Sequence, residues 1–176
     1  GSHGIANGLD AVVNAAAELQ KLGRNDLAIL LVGEGNLKTS LQESAKLKQL
    51  EDLFFHEPLP KTELVRLMAS ADAGLQILAN VPAFYYGTSP NKFFDYLAAG
   101  IPIVCNYPGW VADLITQHQC GLVALPDSPQ LLAEQIVRLA DNRSAIQSMG
   151  NNARRLAEEQ FSRRVLGERF KEWITT

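Results

Sequence analysis

The sequence predicts a doubly wound, Rossmann-like α/β fold with a mostly parallel sheet and helices on both faces. Three observations predict it. Short apolar runs, of which LAILLV at 27–32 is the clearest, alternate along the chain with stretches of helical apolar spacing. Runs this short, bounded by charged residues and glycine, read as strands buried on both faces, the usual condition of a parallel sheet. Parallel neighbours cannot be joined by hairpins, so the alternation itself supplies the right-handed crossovers they need. Finally, 176 residues with 47% hydrophobic and 20% charged content suit a single domain with a sizeable core.

Each element follows in order. Leu9, Val12, Val13, Ala16, Leu19 and Leu22 keep helical spacing, and Gly23 stops that helix. The strand expected ahead of it lies outside the sequence, and Gly1–His3 read equally as a cloning scar or as native residues. After the strand at 27–32, residues 33–36 turn the chain into a helix carrying Leu37, Leu41 and Ala45. A short strand at 53–55, a helix at 61–70 and a strand at 73–78 come next, and the longest irregular piece spans 79–89. A helix begins near Pro90 with Ser89 as its N-cap, and Gly100 ends it before a strand at 101–105. A helix at 110–116, a strand at 121–125 and helices at 129–139, 143–160 and 162–173 complete the chain.

In open α/β sheets ligands bind beyond the carboxyl ends of the strands. Loops 33–36, 57–60, 79–89 and 106–109 converge on that edge. In the helix after Pro90, Phe93, Phe94 and Leu97 share one face, while Lys92 and Asp95 share the other. That helix start, rich in free N–H groups, is a natural seat for a phosphate.

Composition excludes several classes. Net charge is −3 with no basic run, so non-specific nucleic-acid binding is not expected. Cys105 and Cys120 lack metal-ligand spacing and read as reduced core thiols of a cytoplasmic protein. No apolar run approaches the ~20 residues of a membrane span, and no signal peptide is seen. Peripheral membrane contact through another part of the full-length protein stays open.

The run GTSPNKFFDYLAAGIPIV at 87–104 resembles the donor-site segment of retaining glycosyltransferases of the GT-B fold, in the broad group called family 4. In that group a loop, a helix reading E-A-x-A-x-G and a strand reading P-V-V follow one another, and residues 95–102 lie along the pattern. The resemblance implies that residues 1–176 are one nucleotide-sugar-binding domain, the C-terminal half of such an enzyme, with an N-terminal acceptor domain outside the sequence. The implied reaction moves a hexose-type sugar from a nucleoside diphosphate to an acceptor alcohol, in bacterial lipopolysaccharide or other surface-polysaccharide assembly. No cofactor and no metal are expected, and the isolated domain is expected to be inactive. Two alternatives remain: a nucleotide-sugar 2-epimerase on the same fold, and a non-catalytic nucleotide-sugar-binding module. The epimerase would want paired carboxylates and histidines, whereas apart from His3 this chain offers only His56 and His118, far apart in sequence.

The same resemblance assigns roles. In VGEGN at 32–36 the absent Cβ atoms of Gly33 and Gly35 would let a ligand approach the backbone, and the family's V-G-x-G lines the nucleotide-sugar pocket. The missing third glycine argues against NAD. The segment 53–64 is similar to the family stretch that holds the base through backbone groups, here those of Leu59, while Glu57 stands where glycine is common. His56 and Glu57 read as solvated polar residues at a strand end. Asp95 falls on the second glutamate of the family's E-x7-E motif and would accept from the ribose hydroxyls. The first glutamate falls at Gly87, so Gly87 and Thr88 would border the sugar without its usual carboxylate. The family's diphosphate-binding Arg and Lys fall at Ser2 and Asn7. The diphosphate is therefore assigned to the start of the Pro90 helix with Ser89, Asn91 and Lys92, to Gly33 and Gly35, and to Lys38 as a further cation. Tyr85 and Tyr86 read equally as stacking groups and as packing, and Trp110 as a core or rim anchor.

Overall fold

The computed structural model describes residues 1–175. A short 3-10 helix, Ile5–Asn7, leads through Gly8 in the left-handed conformation to α1, Asp10–Lys21. There follow β1 (Ile29–Val32), α2 (Lys38–Leu47), β2 (Leu53–His56), α3 (Lys61–Ala69), β3 (Gly74–Gln76), α4 (Pro82–Gly87) and α5 (Asn91–Ala99). The chain ends with β4 (Ile103–Cys105), α6 (Trp110–Gln117), β5 (Gly121–Val123), α7 (Pro129–Ala140), α8 (Arg143–Gln160) and α9 (Arg163–Thr175).

All strand pairs are parallel, as the apolar runs require. β1 pairs with β2 in register from Ile29 opposite Leu53, and β4 lies between β3 and β5, with Val104 opposite Leu75 and Leu122. The strands form two ladders, β1-β2 and β3-β4-β5, with no hydrogen-bonded rung between β1 and β3.

Helices cover both faces. Because successive strand residues point to opposite sides, Val104 joins one core cluster with Val12, Val13, Leu41, Ala45, Leu132 and Ala133 from α1, α2 and α7. Ile103 and Cys105 join the other, with Phe93, Leu97, Val111, Ile115 and Leu156 from α5, α6 and α8. Full burial of Phe93 and Leu97 stabilises α5 on this face by roughly 1.5–3 kcal/mol each. α9 buries none of its residues.

Two expectations need correction. The stretch 79–89 is not wholly irregular, because Pro82–Gly87 form α4, with proline in its first turn. Its apolar residues gave no helical signal because one turn and a half is too short to show a period. Ser89 does not cap α5: Pro90 holds the N-cap position in an extended conformation, and no side chain bonds the first turn.

Candidate functional site

Three features meet at the carboxyl rim: the turn after β1, the loop after β2, and the loop, α4 and α5 start after β3. Asn106 shapes the third. It is 5% exposed, its Oδ1 accepts from the Leu78 N–H at 3.0 Å, and its Nδ2 donates to the Leu78 carbonyl at 3.0 Å. One side chain thereby continues the β3–β4 ladder past its end and fixes where the chain leaves for α4. Gly109, with φ of 114°, brings the next loop against the Tyr85 carbonyl, where any Cβ would collide. Below them Tyr85 stacks on Tyr107 with ring centroids 6.0 Å apart, and Gln76 Nε2 donates to the Tyr107 hydroxyl at 2.9 Å. Tyr85 is therefore a packing residue, whereas Tyr86 is 72% exposed. The Tyr85 hydroxyl also reaches Asn80, whose amide donates to Asp127.

α5 begins at this rim with its first amides lacking intrahelical acceptors, as every helix start does, and with no side-chain cap to take them. Asn91 and Ser89 are both exposed, on either side of half-buried Pro90. Thr88 is held by its own Oγ1–H bond to the Phe84 carbonyl and by the Trp110 indole, which donates to the Thr88 carbonyl at 2.8 Å. Trp110 also meets Phe93 edge to face, 5.8 Å between centroids, so it anchors the rim. At Gly87 a Cβ would find open space.

Lys92 turns inward from the first turn of α5. Its ammonium donates to Asn7 Oδ1 at 3.2 Å and to the Ile77 carbonyl at 3.1 Å, and burial pulls its pKa down to about 8. Asp95, half-buried one turn on, pairs with Lys61 at 2.6 Å rather than with Lys92. That pair ties α5 to the start of α3, just beyond half-buried Leu59. The close approach that Gly33 and Gly35 permit is made by the chain itself. A Cβ at Gly33 would collide with the Gly1 carbonyl, and one at Gly35 would lie 2.6 Å from His3 backbone. Lys38 is 7% exposed and bonds both Glu34 and Glu57, the latter at 2.6 Å. Those carboxylates, through hydrogen bonds, hold its pKa above the usual lysine value, so its charge is already compensated. His56 Nδ1 lies 2.8 Å from the Glu57 carbonyl. Both cysteines are buried, and desolvation pushes Cys105 to about 12 and Cys120 to about 11, which makes them inert thiols.

Sequence reasoning anticipated α5 and the presence of Lys92 and Asp95 on it, and did not anticipate the contacts made by Asn106 and Lys61. Asn106 had a signal, a polar residue directly after a wholly apolar strand. Lys61 had none, since its partner is 34 residues away.

This is the architecture of the open parallel α/β domains that take ligands beyond the carboxyl ends of their strands. The profile of the family described as Glycosyl transferases group 1 matches residues 3–156, and the chain belongs to that family. Over 105 residues it is 30% identical to the MMP alpha-(1->4)-mannosyltransferase of Mycolicibacterium hassiacum, covering 59% of this chain and 24% of that protein. Among solved structures it resembles HepE from Anabaena in complex with UDP, with a TM-score of 0.82 at 17% identity over 99% of this chain and 47% of that one. It also resembles WaaG, a glycosyltransferase involved in lipopolysaccharide biosynthesis, with a TM-score of 0.72 at 21% identity over 92% of this chain and 42% of that one. The chain thus spans less than half the length of these relatives. The doubly wound fold is that of GT-B glycosyltransferase C-terminal domains.

Proposed function

We propose that this chain is the donor-binding half of a retaining hexosyltransferase of surface-polysaccharide assembly, working at the cytoplasmic side. In the transfer, the bond between the sugar's anomeric carbon and the diphosphate breaks, the acceptor oxygen bonds that carbon, and the acceptor proton is released. The donor half holds the leaving diphosphate electrostatically, with no bound metal. The single observation that carries the reading is the start of α5: uncapped amides at the rim, with the Lys92 ammonium beside Asn7. The family's loop lysine falls at Asn7 in this chain, so α5 delivers a cation to the place where the loop has lost one.

The roles follow from position. Asn91, Ser89 and Lys92 take the diphosphate, while the space over Gly33 and Gly35 is filled by the chain's own Gly1 and His3. Asp95 accepts from the ribose hydroxyls, Leu59 backbone groups meet the base, and Gly87 and Thr88 border the sugar. On this reading the acceptor site and any membrane contact are supplied by polypeptide other than these residues, so transfer needs more than the donor half. UDP and UDP-glucose occupy HepE, which supports uridine nucleotides as the first probes.

A thermal-shift panel with UDP, GDP, dTDP and ADP tests this. A nucleotide at a hundredfold excess over Kd stabilises the native state by about 2.7 kcal/mol. Lys92→Met and Asp95→Asn should each erase most of the shift given by the best nucleotide. Absence of any shift across the panel, in a protein whose melting is otherwise cooperative, sinks the reading.

A further inference from the structure

Among the described residues three non-glycines have positive φ: Gln49 at 54°, Gln119 at 49° and Asp127 at 55°. Gln49 and Gln119 directly follow Lys48 and His118, the C-caps of α2 and α6, where a left-handed residue is the ordinary stop. Asp127 instead lies beyond β5, one residue ahead of Ser128, the N-cap of α7, so no helix end accounts for its conformation. Glycine would adopt it without the Cβ penalty. What aspartate adds is a carboxylate, and residues kept in such a conformation concentrate at functional sites.

Asp127 Oδ2 accepts from the Asn80 amide, and Asn80 Oδ1 accepts from the Tyr85 hydroxyl. This chain of bonds runs from the end of β5 to the loop after β3 and on into α4. Its charged member stands at one end, and an amide that donates to a carboxylate becomes a better acceptor at its own carbonyl. α4 depends on such an anchor, for it has six residues, no side-chain N-cap, and Tyr85 as the residue it buries. The stack on Tyr107 sets the depth of the Tyr85 ring but supplies no directional bond in the ring plane, so the hydroxyl bond fixes where α4 lies along the rim. α4 ends at Gly87, and Thr88 is bonded back to the Phe84 carbonyl, so the border formed by Gly87 and Thr88 follows α4. The Trp110 indole also holds Thr88, so loss of the Asp127 chain would tilt α4 about that end rather than release it. α5 would stay in place, since Phe93 and Leu97 are fully buried in the core.

We propose that Asp127 is a positioning residue for the donor sugar: through Asn80 and Tyr85 it sets where α4 lies, and so which nucleoside diphosphate hexose fits beside Gly87 and Thr88. This rests on the donor-site reading above. Base, ribose and diphosphate are assigned there to groups outside α4, so Asp127 should act on the sugar and not on the bare nucleotide.

Calorimetric titration with UDP, UDP-glucose and UDP-galactose, and with GDP and GDP-mannose, tests this in the unaltered chain and in Asp127→Gly, Asp127→Asn, Tyr85→Phe and the double substitution Asp127→Gly/Tyr85→Phe. Asp127→Gly keeps a residue suited to positive φ, so it should leave the melting temperature little changed. It should nevertheless alter the affinity of a sugar conjugate relative to its bare nucleotide at least fivefold, with bare-nucleotide affinity held within twofold. Tyr85→Phe should do the same, and the double substitution no more than either alone, because each breaks the same chain of bonds. Asp127→Asn, whose side-chain oxygen still accepts from Asn80, should keep the ratio within twofold. An unchanged ratio in Asp127→Gly with bare nucleotide still bound overturns this proposal alone, as do additive effects in the double substitution. If no bare nucleotide binds the unaltered chain, the donor-site reading falls and this proposal falls with it.

Discussion

At the scale of residues, Lys92 concentrates the chemistry. Burial holds its ammonium near a pKa of about 8, and only the charged form can grip a diphosphate. Above pH 8 the free protein must take up one proton for each nucleotide bound. Affinity should then fall about tenfold per pH unit between pH 8 and 10, and Lys92→Met should flatten the profile, as calorimetric titration across that range would show. The same shift has the opposite sign for folding. Between pH 8 and the ordinary lysine value of 10.5 the unfolded chain holds a proton that the folded chain lacks, so stability rises with pH there. Lys92→Met should abolish that rise and stabilise the protein below pH 8. Gly87 offers the converse experiment. It has open space where a side chain would start, so Gly87→Glu, which restores the carboxylate of the family motif, should change unfolding free energy by no more than about 0.5 kcal/mol. Urea denaturation measures this, and a larger loss would mean that the rim cannot accept the family's glutamate.

At the scale of elements, α5 and α8 are packed through glycine. Gly150 of α8 presses against the carbonyl of Gly100, which ends α5 in the left-handed conformation at φ 69°. The two glycines serve different needs and should respond differently. A Cβ at Gly100 finds only ordinary contacts with Arg154 and Gly150, so Gly100→Ala carries backbone strain alone, about 1 kcal/mol. A Cβ at Gly150 overlaps the Gly100 carbonyl oxygen, so Gly150→Ala must move one helix off the other and should cost about 2–3 kcal/mol. Chemical denaturation of the pair decides it, and equal losses would refute the close-crossing account. Elements of this kind were legible in the sequence wherever the local pattern was long enough. The strands at 29–32 and 103–105 announced themselves as apolar runs, and α5 by Phe93 and Leu97 with glycine at its end. α4 escaped because six residues cannot show a helical period, and the cap of α5 was misplaced by one residue because proline fits either position.

At the scale of the whole molecule, the sequence could not reveal what depends on pairing between distant segments. The break between β1 and β3, the Lys61–Asp95 pair and the use of Gly33 and Gly35 by the chain's own first residues are all non-local. α9 poses a question of the same kind. Leu166, Phe170, Trp173 and Ile174 recur at helical spacing and are 46%, 61%, 75% and 59% exposed, and no residue of the helix is buried. A helix is held in a globule by the apolar face it buries rather than by its propensity, so α9 should contribute little to the stability of the rest. Phe161, just before it, packs against Phe94 at 5.1 Å and marks where the core ends. Removing residues 162–176 should therefore leave unfolding free energy within about 0.5 kcal/mol of the intact chain, and should lower its tendency to self-associate by deleting exposed apolar surface. Calorimetry and sedimentation at several concentrations measure the two effects. A truncated chain that melts much earlier would show α9 seated on the domain after all, and would move the boundary of the core past Phe161.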